Sequence, residues 1–391
     1  MLQEWLVELV KGIGKFFLHP VFYYLVILAG ILGVMRVKRE RKNFHVRAYD
    51  AYFELRQLFP LGFIIGLGVS ILVLAAGIAV PISLILLVAA FTFLWNLTAN
   101  IRLMAPVYTI GAAFYALIII SQQKIKMPIF ASSFESIDKQ AYPPIAIFLA
   151  LLLIAEGILI FKNGSFGTSP KLIKSKRGQR VGAHEVKRLW ILPVFMLIPG
   201  NALHLPFDWW PVFSIGEEKF SLLLVPFAVG FQQQIQGMLP KEAVRTLGKR
   251  VIGLGIFITL LSIAGYWFPL VSIVTVGIAL IGRETLSLIQ RMRDENSPFY
   301  FSKKNHGLMI LGVLPGSPAD RMALQVGELI TKVNGVPIHD EGALYGTFKK
   351  TGRTASLRSS TRTAKSVSCR EPYTKAIITN LVYYLSRMSG S

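Results

Sequence analysis

Of the 391 residues, 53% are hydrophobic, against about 45–50% for an ordinary soluble domain, so the excess apolar material has to be placed in lipid. Lys and Arg outnumber Asp and Glu by 42 to 21, giving a net charge of +21, but the cations gather between long apolar runs instead of along one face. That distribution excludes a nucleic-acid stripe and makes anionic phospholipid the expected counter-charge.

One cysteine, Cys369, excludes an internal disulfide framework and a multi-cysteine metal site, and it fits a soluble part exposed to a reducing cytosol. The N-terminus carries neither a basic n-region nor a small-residue cleavage site, so no removable signal peptide is expected. Leu2, Trp5, Leu6, Leu9, Val10, Ile13, Phe16 and Phe17 recur at helical spacing, with Glu4, Glu8, Lys11 and Lys15 elsewhere around the wheel. Residues 1–17 are therefore expected as an amphipathic helix lying in the interface or packed on a membrane bundle.

A spanning helix needs about 20 mainly apolar residues. Windows of that kind fall at 18–35, 59–80, 81–95, 103–121, 143–161, 189–205, 220–236, 251–268 and 269–288. Prolines at 193 and 199 break one of them, and others divide in more than one way, so the region 18–288 is expected to hold about six to nine spans. Orientation is firmer. Basic clusters at Arg36–Arg47, Lys171–Arg188, Lys241–Arg250 and Arg291–Arg293 are separated by even numbers of windows, and the positive-inside rule places all four in the cytoplasm. The opposite loops are poorer in positive charge and carry aromatics such as Trp209 and Trp210.

Polar residues inside the windows are candidate chemistry, because a charge at mid-membrane costs about 2.5–3.5 kcal/mol on insertion scales. Glu156 is the clearest, and it is expected without a second buried charge, as an interhelical hydrogen-bonding group or a protonated acid. Gln232, Gln233 and Gln234 are expected as interhelical glue or an interface cap at the end of a span. Arg283 and Glu284 are expected to snorkel near another end.

Residues 289–298 read as a polar linker, followed by a compact α/β pattern. Residues 299–301 and 307–314 read as strands, 315–319 as a turn feeding a short helix, 328–333 as a strand closed by the Asn334-Gly335 turn, and 341–350 as a helix. The run Gly312-Val-Leu-Pro-Gly-Ser-Pro-Ala319, followed by Gly327-Glu-Leu-Ile330 and Val333-Asn-Gly335, resembles the bacterial PDZ domain. That resemblance implies strand addition, in which a peptide pairs with an exposed strand edge. Asn305, His306, Gly307 and Leu308 then match the loop that receives a carboxylate on its backbone N–H groups. Met309 and Ile310 continue the pairing strand, and Leu344 and Phe348 face it from the helix.

A PDZ-like module after a polytopic region, together with Pro226–Gln234 and the segment from Pro240, resembles the MinJ family of cell-division topology determinants of Gram-positive rods. The resemblance implies a non-enzymatic scaffold at septum and poles that bridges a DivIVA-like polar protein to a MinD-like division inhibitor, with other divisome proteins as further partners and no cofactor. The expected fold class is thus mainly α, a transmembrane helix bundle followed by a small α/β PDZ-like domain at 299–350 that is incomplete at its C-terminal end.

Residues 351–391 form a discordant basic tail. Its Ser, Thr and Arg-rich stretch to Arg370 lacks strand alternation and is expected not to complete a sheet. Reading the tail in a shifted frame restores a hairpin-like pattern with an Asn-Gly turn, so it is expected as a frameshift product. Enzyme chemistry finds no support along the chain. His184-Glu185 lacks a second histidine one helical turn on, no nucleophile elbow surrounds Ser165 or Ser169, and no phosphate-cradling loop occurs. The alternative from another class is a transporter or permease with a regulatory module, which a paired intramembrane ion site around Glu156 would favour.

Overall fold

The computed structural model describes residues 2–123, 125, 131–134, 138–175, 178–203, 220–302, 307–339, 342–344, 346–347, 355–360 and 364–369. In chain order the membrane region comprises α1 (Leu2–Leu18), α2 (Pro20–Phe44), α3 (Phe53–Leu58), α4 (Pro60–Ala76), α5 (Ile82–Asn96), α6 (Pro106–Gln123), α7 (Tyr142–Leu159), β1 (Ser169–Lys174), β2 (Arg180–Leu203), β3 (Phe220–Ile235), α8 (Pro240–Ile263) and α9 (Val271–Asn296). The C-terminal module comprises β4 (Leu308–Met309), α10 (Pro318–Arg321), β5 (Leu329–Val333), β6 (Val336–Pro337), β7 (Ala355–Ser360) and β8 (Ala364–Cys369).

The mainly helical class follows from the sequence as expected. Among the described residues, five segments, Pro20–Phe44, Phe53–Ala76, Lys139–Gly164, Pro240–Tyr266 and Val271–Asn296, are long and apolar enough to cross a membrane, and the apolar Ile82–Asn96 is shorter. Prolines open α2, α4 and α8, where the first turn has no use for the missing N–H. Helix α4 stops at Gly77, whose φ of 63° is the left-handed cap a glycine adopts without penalty. Residues 289–296, within the segment expected as a linker, continue α9 as a helix.

Windows 189–205 and 220–236 are not helices. They are the strands β2 and β3, paired antiparallel from His184↔Ile235 to Pro199↔Phe220 with Pro193 facing Pro226. Proline in a helix interior costs about 3 kcal/mol or more, whereas here the two prolines oppose each other across the ladder. Side chains alternate between two cores. Trp190, Leu192, Val194 and Met196 face the cluster built on α5 to α9, while Leu189, Ile191 and Phe195 face the cluster of Phe16, Val21, Leu25 and Leu28 from α1 and α2. With both faces covered, the strands read as near-continuous apolar runs and imitate spans.

Strands at membrane depth require protein around every edge. Along β2 that cover is α4, where Gly62 and Gly66 let the helix backbone approach so closely that an added Cβ would lie 2.2 Å from the Ile191 carbonyl oxygen and 2.5 Å from that of Pro193. The Phe195 amide donates to Ser70 Oγ at 2.9 Å, and the Val80 amide to the Leu197 carbonyl at 2.9 Å. Along β3 lie α1, with Gly12 close to Leu224, and the turn at Ile101–Met104 against Gly230. Helix α1 leaves Leu6, Val10, Phe17 and Leu18 exposed.

The basic ends meet on one side of the bundle. Arg39 at the end of α2 pairs with Glu185 on β2, Arg250 on α8 donates to Gln290 on α9, and Asp294 accepts from the amides of Gln236 and Gly237 after β3. The hairpin leaves this side and returns to it just as two helices would, so the parity read from the sequence survives the change of element.

In the module the sheet order is β4-β5-β7-β8, with β6 also on β5. The pairing of β7 with both β5 and β8 corrects the expectation that 351–370 cannot complete a sheet. Ladder hydrogen bonds are a backbone property, and side-chain alternation fixes their register more than their existence.

Candidate functional site

The module is assembled as its turn residues dictate. Asn334 (φ 49°) and Gly335 (φ 83°) form the tight hairpin turn between β5 and β6. At the start of α10, Asp320 accepts from the Gly316 amide at 2.8 Å. Gly307 enters β4 so close to β5 that a Cβ would lie 2.5 Å from the Ile330 carbonyl oxygen. Leu308 and Met309 then pair with Ile330 and Leu329. Strand β4 is terminal in its sheet, and among the described residues no strand pairs with its outer edge, which is the geometry that strand addition uses.

Of the residues expected in the groove, Gly307, Leu308, Met309, Ile310 and Leu344 lie in this module. Leu308 and Met309 are half-buried, and Ile310 and Leu344 are buried. Leu344 is on the helical residues 342–344. Asn305, His306 and Phe348 lie outside the described residues.

The module is seated on the bundle. Phe44 of α2, Phe301 and Leu311 form one buried cluster, with Leu172 of β1, Leu239, Tyr300 and Met309 packed around it. Backbone bonds join the parts, from the Gly182 amide to the Phe301 carbonyl at 3.0 Å and from the Tyr300 amide to the Gln236 carbonyl at 2.8 Å. His184 of β2 donates through Nε2 to the Leu311 carbonyl at 2.8 Å, and its Nδ1 lies 3.0 Å from Thr168 Oγ1, whose hydroxyl donates to it when the ring is neutral. Burial pushes its pKa from 6.5 down to about 4.

A released His184 takes up its proton near 6.5, so its contribution to docking is complete above that pH and is lost as the pH falls toward about 4. Limited proteolysis at the Ser297-Pro298 joint is therefore expected to accelerate between about pH 7 and pH 5 in the parent chain. In His184→Gln the acceleration should disappear, and a parent chain cut equally at both pH values would remove this role from the histidine.

A second polar constellation lies inside the bundle. Arg283 of α9 donates to Glu156 of α7 through Nε at 2.9 Å and Nη2 at 2.7 Å, and to Ser287 through Nη1. Both members of the pair are buried, which corrects two expectations: Glu156 does have a buried counter-charge, and Arg283 does not snorkel. Glu284 turns the other way, to Arg102 and Tyr108. Gln232 and Gln233 sit on β3 instead of at a helix end, and with Arg283, Arg102 and Gln290 they line a cavity of about 960 Å3. Among the described residues, Glu156 Oε2, Gln232 Oε1 and both amide atoms of Gln233 are buried without a hydrogen-bond partner.

Fold and site together define a polytopic membrane protein with a PDZ domain docked on one end of its bundle. Residues 309–346 match the PDZ domain family. Over 346 residues, 88% of this chain and 86% of the relative, the sequence is 39% identical to the cell division topological determinant MinJ of Bacillus subtilis (strain 168). A MinJ relative from Lacticaseibacillus paracasei is 22% identical over 355 residues, covering 86% of this chain and 87% of that protein. A Synechocystis protein described as a serine protease, HhoA, is 35% identical over 69 residues, only 18% of this chain. No solved structure matches. The chain belongs to the MinJ family of cell division topological determinants.

Proposed function

We propose that this chain is a non-enzymatic membrane scaffold of division-site selection, bridging a DivIVA-type polar protein to a MinD-type inhibitor and so restricting where the septum forms. The observation that carries the reading is the open edge of β4 in a PDZ domain held at the end of the bundle where the basic clusters meet. By the positive-inside rule that end is cytoplasmic, where division proteins are reached. A peptide, such as the C-terminus of a partner, adds to β4 at Gly307–Ile310 and is faced by Leu344 from the neighbouring helix. The exposed face of α1 meets lipid at the interface.

A two-partner interaction assay tests the reading. The full chain is expected to engage both proteins, and a chain truncated before Ser297 to lose at least one while keeping its membrane insertion. Cells lacking the chain should divide at misplaced sites and form minicells. If truncation changes neither interaction, the PDZ edge is not the docking surface.

The Glu156–Arg283 pair beside the polar cavity favours a second reading, a transporter or permease with a regulatory module. A transport defect without misplaced septa on deletion would select it. Misplaced septa with transport intact would select the scaffold.

A further inference from the structure

A smaller pocket of about 290 Å3 opens between α2, β1 and β2 on the side of the bundle that carries the PDZ module, and its charges do not balance. Five cationic side chains, Arg36, Arg39, Lys171, Lys187 and Arg188, line it. The carboxylates among them are Glu54, Glu185 and, just behind, Glu40. Arg36 donates to Glu40 and Glu54, Arg188 donates to the other oxygen of Glu54, and Arg39 pairs with Glu185. Each of the three acids thus has an arginine beside it, which leaves two cations in excess. Lys187 lies 3.8 Å from Glu185, a carboxylate already paired with Arg39, and Lys171 has, among the described residues, a 3.4 Å contact with Gln234.

The excess positive charge also has free donors. Arg36 Nη2, Arg188 Nη2 and Arg39 Nε are buried and have no hydrogen-bond partner among the described residues. Arg36 is 7% exposed and Arg188 2%, so water does not generally serve these nitrogens. A buried guanidinium donor left unmade costs more than an ordinary lost hydrogen bond. Opposite Arg188, the backbone at Gly167 has φ 60°, and a Cβ there would stand 2.5 Å from the Phe53 ring and 3.2 Å from Arg188 Nη2, so only glycine fits this wall of the pocket. Beside the pocket, Met35 is 55% exposed, and Ile27, Ile31 and Val34 continue an exposed apolar face along α2. The pocket therefore joins a cationic hole to a hydrocarbon-compatible wall.

We propose that this pocket binds a phosphoryl anion, supplied by the headgroup of an anionic phospholipid whose chains lie along α2. Lys171 and Lys187 close on the phosphate from β1 and β2 and Arg39 from α2, while the guanidiniums of Arg36 and Arg188, buried beneath, add fixed positive charge. Burial and the neighbouring Arg39 hold both lysine pKa values below their ordinary range.

The test uses the purified full chain in neutral detergent, with its thermal midpoint followed as phosphatidylglycerol, phosphatidylcholine or inorganic phosphate is added. Phosphatidylglycerol is expected to raise the midpoint and phosphatidylcholine to leave it unchanged. Lys171→Gln with Lys187→Gln should weaken the phosphatidylglycerol response about tenfold or more while circular dichroism stays unchanged. Lys187→Gln alone should weaken it less, which keeps the test readable if the double variant folds poorly, and replacing both lysines with Arg should preserve it. A phosphate response matching that of phosphatidylglycerol would reassign the pocket to soluble phosphate compounds and overturn the lipid source. Equal responses to the two lipids, or a Gln variant indistinguishable from the parent, would overturn the anion site itself.

Discussion

Arg283→Met is expected to destabilise the bundle by about 3–5 kcal/mol, because it leaves the buried Glu156 carboxylate without its counter-charge. Glu156 is fully buried, Arg283 is 1% exposed, and two of the guanidinium nitrogens hold one carboxylate oxygen. Glu156→Leu is expected to cost a similar amount by leaving the guanidinium alone. Joining the two substitutions removes both charges and replaces them with apolar volume, which is close to neutral when a buried pair is exchanged as a unit. Thermal unfolding of the four proteins in detergent forms the double-mutant cycle, and the double variant should recover most of the loss. Strict additivity of the two single effects would mean that the residues act independently and that the pair does not hold α7 to α9.

Gly62→Ala is expected to have the second-largest effect. Its Cβ would fall 2.2 Å from the carbonyl oxygen and 3.1 Å from the carbonyl carbon of Ile191, both backbone atoms of a paired strand that cannot turn aside. Helix α4 must then move off β2, which also breaks the bond from the Phe195 amide to Ser70 and opens a strand edge inside the bilayer. A loss of about 1–3 kcal/mol or more is expected, read as a lowered thermal midpoint and a poorer yield of monodisperse protein. Gly68→Ala, on the same helix with open space around it, is the control and should be neutral or gain up to about 1 kcal/mol of helix propensity. Equal responses at the two positions would show that α4 does not rest on β2 through its glycines.

The sequence made the helical class, the basic side of the bundle and the PDZ turn residues legible, since each is written in local pattern: apolar length, charge spacing and the Asn334-Gly335 turn. The hairpin was not. A strand covered on both faces loses its period of two, and a short apolar run then cannot be told from a helix by periodicity. The signal that was present is proline, at 193, 199 and 226, in windows where helix interiors exclude it. The Glu156–Arg283 pair was illegible for a different reason. Its members stand 127 positions apart, and nothing local records that α7 and α9 lie side by side. His184 lacks the second histidine of a zinc site, and its actual partner is the backbone oxygen of Leu311, which carries no sequence signature. The tail lacks side-chain alternation, and the pairing of β7 with β5 rests on backbone groups that every sequence carries.

Strand β2 has one further consequence. Its Gly182 is bonded to Phe301 at the edge of the PDZ domain, and its Leu197 is bonded to Val80 at the far end of α4. Fifteen residues of extended chain between these points reach about 50 Å, and a paired strand scarcely stretches. The PDZ domain and the far end of α4 are thus joined through a stiff rod, and α9, helical as far as Asn296, brings a second rigid element to the domain. No slack tether lies between the two bonded points.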